Sequence, residues 1–291
     1  MSSERSQALA GYVFIAPAML IFFVFTLLPV GYAFYLSFTN YDVFTRQDWI
    51  GAANYVDVFQ DEFFVRAFWN TATYTVWSIP LSMGIGLGLA LLLNQKLRGL
   101  GFYRTVYYVP VVTSMVAVAM IWIQLFDPLY GVISNALEAI GLKGVDWLGD
   151  PNLAMPSIIA VSVWKVIGWN MLIYLAGLQG IPEYLKEAAA IDGATRWQTL
   201  WRVIVPLLAP TTFFIFVTSF IGAFQVFDQV YVMTGGGPAN ATTTLVQQIY
   251  NSAFRNFNMG YAAALSFVLF GIILVVSLVS IRSIRGEVAY Q

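Results

Sequence analysis

The chain has 291 residues but no cysteine and no histidine, and only 10% of its residues are charged. The first two absences exclude disulfides, thiolate nucleophiles, zinc clusters and histidine-based acid–base sites, which removes most enzyme classes. We therefore expect no catalytic residue, no metal site and no cofactor bound by this chain. This charged fraction is far below that of soluble domains, in which roughly 25% of residues are charged.

Long apolar runs dominate the sequence: 59% of the residues are hydrophobic and the mean hydropathy is +0.73. Six runs are long enough for the ~20 residues with which a helix crosses a bilayer, and none alternates as barrel strands do. The sequence therefore predicts an all-α integral membrane protein, a single domain over residues 1–291 with six transmembrane helices. The runs cover residues 6–41, 67–95, 105–126, 203–227 and 256–281, with one more that begins at Pro151 and includes Lys165.

The first run is longer than the ~7–15-residue core of a cleaved signal peptide, so we expect a retained first helix. Lysine and arginine are unevenly divided between alternate connections, with nine on the side of the N-terminus and four on the other. The positive-inside rule then places both termini in the cytoplasm. The nine are Arg5, Lys96, Arg98, Arg104, Lys186, Arg196, Arg202, Arg282 and Arg285, and the four are Arg46, Arg66, Lys143 and Arg255.

The segment 182–193 is a polar island between the fourth and fifth apolar runs. Pro182 favours a helix start, and the three alanines after Glu187 are strong helix formers with little bulk. Gly193 suits the left-handed position that ends a helix, and the residues from Thr195 to Gln198 match a capping box that opens a second helix. The sequence predicts two short helices with a bend. These features alone fit either a docking helix for a partner or an ordinary cytoplasmic loop.

The same segment resembles the EAA motif of binding-protein-dependent ABC importer permeases. The matching residues are Glu187-Ala188-Ala189, Gly193 and, further on, Ile204-Val205-Pro206. The fuller run from Ile181 to Leu207 resembles the sugar-uptake branch of that family, which includes maltose and glycerol-3-phosphate permeases. The likeness extends over nearly the whole chain, through Asn54-Tyr55 before the second helix, Phe102-Tyr103-Arg104 before the third and Thr234-Gly235-Gly236-Gly237-Pro238 after the fifth.

The resemblance implies a type I ABC importer permease in which segment 182–193 is a cytoplasmic coupling helix between helices 4 and 5. Such a helix docks on a nucleotide-binding subunit and passes its ATP-driven movement to the membrane helices. The chain has no Gly-rich loop followed by Lys-Ser or Lys-Thr, so ATP and Mg²⁺ are expected on the partner subunit. The residues that match the coupling motif are Glu187, Ala188, Ala189, Asp192 and Gly193.

The resemblance also implies the rest of the assembly. We expect a second, different permease chain, two cytoplasmic nucleotide-binding subunits and an extracytoplasmic substrate-binding protein. The location is the cytoplasmic membrane of a prokaryote, with lipid around the helices and no nucleic-acid partner. The solute is a carbohydrate, either a di- or oligosaccharide or a compound like a polyol phosphate.

Polar groups within the predicted fourth and fifth helices mark a candidate substrate pathway, because such groups in spans usually face protein or water. Hydroxyl and amide groups beside aromatic rings suit a sugar. Two questions stay open. Lys165 is either a ligand contact or a structural partner, of a helix-end carbonyl or of Asp228. The phenylalanines either line a pocket or only pack against neighbouring helices. The candidate residues are Ser162, Lys165, Trp169, Phe224, Gln225 and Asp228, and Thr218, Gly222 and Gln229 continue the stripe.

Two other functions remain as alternatives. An ion-coupled secondary transporter commonly uses acidic residues deep in its spans, whereas Asp127 and Asp228 lie at predicted helix ends. A membrane scaffold without transport activity would leave the coupling motif unexplained.

Overall fold

The computed structural model describes residues 2–44, 47–95, 99–141 and 144–288. Within these ranges every regular element is helical, apart from one isolated bridge between Thr39 and Trp49. The predicted all-α class is confirmed. Four basic residues used for the orientation, Arg46, Lys96, Arg98 and Lys143, lie outside the described residues.

Fifteen α-helices and three short π-helical segments are present in the described ranges. The α-helices are α1 (Ser2–Phe22), α2 (Leu28–Leu36), α3 (Ala53–Gln60), α4 (Glu62–Leu93), α5 (Leu100–Val112), α6 (Met115–Leu125), α7 (Val132–Ala139), α8 (Ala154–Gln179), α9 (Glu183–Ile191), α10 (Arg196–Thr199), α11 (Val205–Leu207), α12 (Ala209–Phe224), α13 (Asp228–Met233), α14 (Leu245–Tyr250) and α15 (Met259–Val288). The π-helical segments are Phe23–Leu27, Leu200–Ile204 and Asn251–Arg255.

Four helices of the described residues are long and apolar enough to cross a membrane: Ala10–Leu36, α4, α8 and Met259–Arg282 of α15. Two bent pairs also qualify if each is taken as one span. These are α5 with α6, bent by 98°, and Arg196–Leu207 with α12, bent by 63°. By length and composition, the described part of the chain therefore contains four spans, or up to six.

We predicted one helix for each of the runs 105–126 and 203–227, but the structure divides both. Thr113 and Ser114 have extended backbones with ψ of 150° and 134°, which separates α5 from α6. In the second run, the break at Leu208 lies between Pro206 and Pro210. Because proline has no N–H to donate within a helix, helical hydrogen bonding is interrupted there.

The chain forms two compact units, one from Met1–Asp61 and Ile249–Gly271 and the other from Glu62–Gln248 and Ile272–Gln291. In the first unit, the amide of Asn54 donates hydrogen bonds to the carbonyls of Ser37 and Thr39 at 2.9 and 2.8 Å. The hydroxyl of Tyr261 donates to Asp61 at 2.6 Å. These bonds connect α3 and the first turn of α15 to the segments around them.

Helix α8 is the centre of the second unit, because α4, α5 and α12 each pack against it. The side chains of Met171, Tyr174 and Leu178 are at most 2% exposed. They belong to an apolar cluster formed where the C-terminal ends of α4 and α8 meet the start of α12. We call it the α8 cluster, and its buried members are Ala90, Leu93, Met171, Tyr174, Leu175, Leu178, Ile181, Leu208 and Ile215.

Three glycines permit these close approaches. A Cβ at Gly86 of α4 would lie 2.8 Å from Cβ of Asn170, and one at Gly177 would lie 2.7 Å from Oγ1 of Thr211. A Cβ at Gly168 would overlap the carbonyl of Tyr107. Membrane helices gain little from apolar burial between them and associate largely through close packing, so small residues at the contacts matter.

Replacing Gly86 with alanine should force α4 away from α8 and lower the thermal unfolding midpoint of the protein in nanodiscs. Overpacking of this kind costs roughly 1–3 kcal/mol. Gly84 is the matched control because nothing lies within 4 Å of its Cβ position, and Gly84→Ala should leave the midpoint unchanged or raise it slightly, since alanine is the better helix former. Equal midpoints for the two variants would contradict this account of the contact.

Candidate functional site

Residues 182–199 form the two short helices and the bend that the sequence predicts. Helix α9 begins directly after Pro182 and ends at Ile191, with Asp192 as its C-cap. Gly193 is left-handed, with φ of +76°, and the N–H of Ala194 donates to the carbonyl of Ala189 at 2.9 Å. This is the glycine-dependent helix ending expected from the sequence.

The second helix, α10, begins with the predicted capping box. The backbone N–H of Thr195 donates to the side-chain carbonyl of Gln198 at 2.8 Å, and the N–H of Gln198 donates to Oγ1 of Thr195 at 3.3 Å. Two N–H groups that the helix start leaves without partners are thereby satisfied.

Helix α9 has one face on the protein and one face open. Leu185 packs against the α8 cluster and Ala189 is buried. Glu187, Ala188 and Asp192 are exposed. The open face thus presents a carboxylate beside a small residue, which a partner surface can approach closely, while the other face is in contact with the membrane helices. Coupling by these residues remains a prediction.

A cavity of about 260 Å³ lies between α4, α8, α12 and α13. Its polar lining consists of hydroxyl, phenol and amide groups, and Trp169 supplies an aromatic ring. None of the residues that line it is charged. The lining residues are Tyr74, Ser78, Ile79, Ser82, Ser162, Val163, Val166, Trp169, Thr218, Ser219, Gly222, Ala223 and Gln229.

Gln229 links three of the helices that form the cavity. Its Nε2 donates to the hydroxyl of Tyr74 on α4 at 3.0 Å and to the hydroxyl of Ser162 on α8 at 3.2 Å. Its own position is on α13. Ser162 also donates to the carbonyl of Ile158 at 2.8 Å. Because Tyr74 and Ser162 are each held in this way, the polar wall of the cavity has a defined arrangement.

The structure brings some of the predicted pathway residues together and leaves others apart. Ser162 and Trp169 line the cavity, as do Thr218, Gly222 and Gln229 of the extended stripe. Phe224 is buried and packs against Phe220 in a tilted arrangement, with ring centroids 4.6 Å apart. Gln225 is exposed at the C-terminal end of α12, rather than in the middle of a span, and Asp228 is exposed at the first residue of α13. None of these three lines the cavity.

Lys165 contacts helix-end carbonyls, the first of the two structural partners considered for it. Its Nζ donates to the carbonyls of Pro110 and Val111 at 3.2 Å each and of Thr113 at 3.0 Å. The carbonyls at the end of α5 have no helical partner because the chain turns there by 98°. Charge-assisted hydrogen bonds are stronger than neutral ones, so Lys165 stabilises the break between α5 and α6.

Comparisons with known proteins agree with this architecture. A family model described as "Binding-protein-dependent transport system inner membrane component" matches residues 81–284. The chain belongs to this family. It is 37% identical to the probable ABC transporter permease protein YesP of Bacillus subtilis, over 99% of this chain and 94% of that protein. It is also 37% identical to the sn-glycerol-3-phosphate transport system permease protein UgpA of Agrobacterium fabrum, over 96% of each chain.

The fold is similar to that of a bacterial ABC transporter involved in the import of the acidic polysaccharide alginate. That structure matches with 27% identity and a TM-score of 0.85, over 97% of each chain. A second structure, of the alginate transporter in complex with a periplasmic protein bound to an alginate pentasaccharide, has 27% identity, covers 96% of this chain and 95% of that one, and has a TM-score of 0.83. The predicted resemblance is confirmed: the chain is a membrane component of a binding-protein-dependent ABC transport system and not an enzyme.

One wall of the cavity was not predicted from the sequence. Tyr74, Ser78 and Ser82 of α4 line it and are all buried. They lie four residues apart, so they form a single polar stripe on one helix face. That spacing is visible in the sequence, and polar residues at helical intervals within an apolar run are the signal that identifies them.

Proposed function

We propose that this chain is one of two permease subunits of a type I ABC importer that carries a carbohydrate across the cytoplasmic membrane of a prokaryote. Counting each bent pair as one span gives six transmembrane helices, with both termini and α9 in the cytoplasm. An extracytoplasmic binding protein delivers the solute. Two nucleotide-binding subunits bind ATP and Mg²⁺, and the second permease is a different chain. Family membership and the carbohydrate and glycerol-phosphate relatives support this proposal.

The chemistry of the cavity is the observation that carries the substrate class. Its polar groups can donate and accept hydrogen bonds, as the hydroxyls of a sugar require, and the face of Trp169 can pack against sugar C–H groups. No residue that lines it has a charge, and the nearby Lys165 is engaged with the carbonyls of α5. These features favour a neutral carbohydrate over a polyol phosphate, because a buried phosphate needs cationic partners.

The volume of the cavity favours binding of one small part of the solute over binding of the whole solute. Ligand pockets usually have volumes of about 300–1,000 Å³, and this one has about 260 Å³. We propose that it holds a sugar unit at one end of the solute, and that the partner permease supplies the remaining contacts.

Coupling follows from the contacts of α9. Leu185 attaches this helix to the α8 cluster, which includes residues of α4, α8 and α12. The same three helices line the cavity. A displacement of α9 by a nucleotide-binding subunit would therefore act directly on the helices that surround the solute.

An ion-coupled mechanism has less support. The carboxylate of Asp127 accepts hydrogen bonds from the backbone N–H groups of Leu129 and Tyr130 at 2.9 and 2.7 Å. These bonds lower the pKa of Asp127, which does not suit a group that must exchange protons near neutral pH. Asp228 is exposed at the start of α13.

Coupling can be tested at the end of α9. Gly193→Val should abolish most of the ATPase activity that a loaded binding protein stimulates in the assembled complex. The reason is that a left-handed backbone costs a residue with a Cβ roughly 1–2 kcal/mol, and a β-branched residue such as valine more. Glu187→Gln should do the same by removing the charge that the open face presents. Gly99→Val is the matched control, since Gly99 has φ of +78° at the start of α5, in a different connection. Full stimulation in both α9 variants would contradict the coupling role.

The substrate site can be tested with two glutamines four residues apart. Gln229→Leu should lower uptake in proteoliposomes about tenfold, as expected for the loss of one or two hydrogen bonds to polar partners. Gln225→Leu should have a smaller effect, because Gln225 is exposed and does not line the cavity. Uptake with a panel of neutral and phosphorylated sugars, each with its binding protein, measures both. A larger loss in Gln225→Leu would favour the pathway predicted from sequence over the cavity, and uptake without ATP would favour the secondary transporter.

A further inference from the structure

The connection between α13 and α14, residues 234–244, has a base, Thr242–Thr244, whose side chains hydrogen-bond to nearby backbone carbonyls. Thr242, Thr243 and Thr244 are at most 5% exposed. The hydroxyl of Thr242 donates to the carbonyl of Gly237 at 2.7 Å, and that of Thr243 donates to the carbonyl of Gly236 at 3.0 Å. The hydroxyl of Thr244 donates to the carbonyl of Val226 at 2.9 Å, which ties the base to the connection between α12 and α13. We call residues 234–244 the outer loop.

The tip of the outer loop is exposed and strained. Ala239 and Asn240 are consecutive exposed residues with φ of 48° and 60°. This left-handed conformation is unfavourable for a residue with a Cβ, and somewhat less so for asparagine than for alanine. Residues held in such conformations occur preferentially at binding sites and need support from the surrounding structure.

That support comes from α4. The guanidinium of Arg66 donates to the carbonyl of Ala239 at 3.0 Å. The amide of Asn70 donates to the carbonyls of Asn240 and Thr243, each at 2.9 Å. Because these two donors lie four residues apart, they share one face of α4, and together they hold both strained residues of the tip.

The same face of α4 continues to the cavity. Tyr74, four residues beyond Asn70, accepts the hydrogen bond from Gln229. In addition, the hydroxyl of Thr71 accepts a hydrogen bond from the N–H of Leu245 at 3.0 Å, where α14 begins. One helix therefore fixes the tip of the outer loop, its exit into α14 and the polar wall of the cavity.

We propose that Arg66 and Asn70 are positioning residues that preorganise the tip of the outer loop for the binding protein. This inference rests on the proposed function, which places the outer loop on the extracytoplasmic side. A tip that is already ordered loses less conformational freedom when a partner docks, so the complex forms at lower partner concentration. The hydroxyls of the three base threonines bond to backbone carbonyls without either donor, so we expect the loop to stay folded, and its tip to be affected most, when Arg66 or Asn70 is replaced.

The test is a titration of the assembled transporter in nanodiscs with loaded binding protein, read as stimulated ATPase activity. Asn70→Ala should raise the half-saturating concentration of binding protein about tenfold, with the maximal rate, the basal rate and the unfolding midpoint near those of the parent. Arg66→Ala should act in the same direction but less, because Arg66 is exposed and donates a single bond to the tip. Arg66→Lys should restore part of the affinity for the binding protein, with a half-saturating concentration between those of Arg66→Ala and the parent.

Val65→Ala is the control, since Val65 is an exposed neighbour on α4 with an apolar side chain that donates no hydrogen bond. An unchanged half-saturating concentration in both Asn70→Ala and Arg66→Ala would overturn the inference. A parallel loss of basal rate, maximal rate and unfolding midpoint would overturn it too, because it would show a general structural role. If no binding protein stimulates the parent transporter, the proposed function fails instead, and that outcome is distinct from both.

Discussion

Close packing against α8 is the constraint on which the rest of the second unit depends. Within a bilayer, apolar burial does not drive helices together, so association depends on how closely their backbones can approach. Gly86 lets α4 reach α8, Gly177 lets α12 reach it, and Gly168 admits the backbone of α5. The cavity lies between helices that these contacts hold in place, and the α8 cluster lies where three of them meet.

Breaks in helices leave backbone groups that side chains from other parts of the chain must satisfy. The bend between α5 and α6 leaves carbonyls without helical partners, and in a bilayer each such group costs several kcal/mol unless it is satisfied. Lys165 satisfies three of them. A charge within a span, which the sequence alone left open as a ligand contact or a structural partner, therefore stabilises an irregular backbone here. The same logic applies at the outer loop, where side chains of α4 hold a strained tip.

Local features of the chain were predictable and contacts between distant segments were not. The helix end at Gly193 and the capping box at Thr195 depend on a few adjacent residues, so the sequence predicts them directly. The carbonyls that accept hydrogen bonds from Lys165 lie more than fifty residues away in sequence. Nothing in composition distinguishes Gly86, whose Cβ position is crowded by α8, from Gly84, whose Cβ position has no neighbour within 4 Å. Gln225 and Gln229 fit the same helical stripe, but α12 ends at Phe224 and a new helix, α13, begins at Asp228. Only the structure shows which of the two glutamines reaches the cavity.

Site-directed cross-linking from the open face of α9 tests whether this helix couples ATP hydrolysis to transport. Because the chain has no cysteine, Ala188→Cys gives a single attachment point for a photoreactive maleimide in a complex assembled with its co-expressed nucleotide-binding subunit. The account predicts a cross-link to that subunit whose yield changes when ATP is bound and hydrolysed. Tyr130→Cys, on the connection after α6, should give none. Equal labelling of the subunit from both positions, or none from Ala188→Cys in a complex with active ATPase, would contradict the claim that α9 couples ATP hydrolysis to transport.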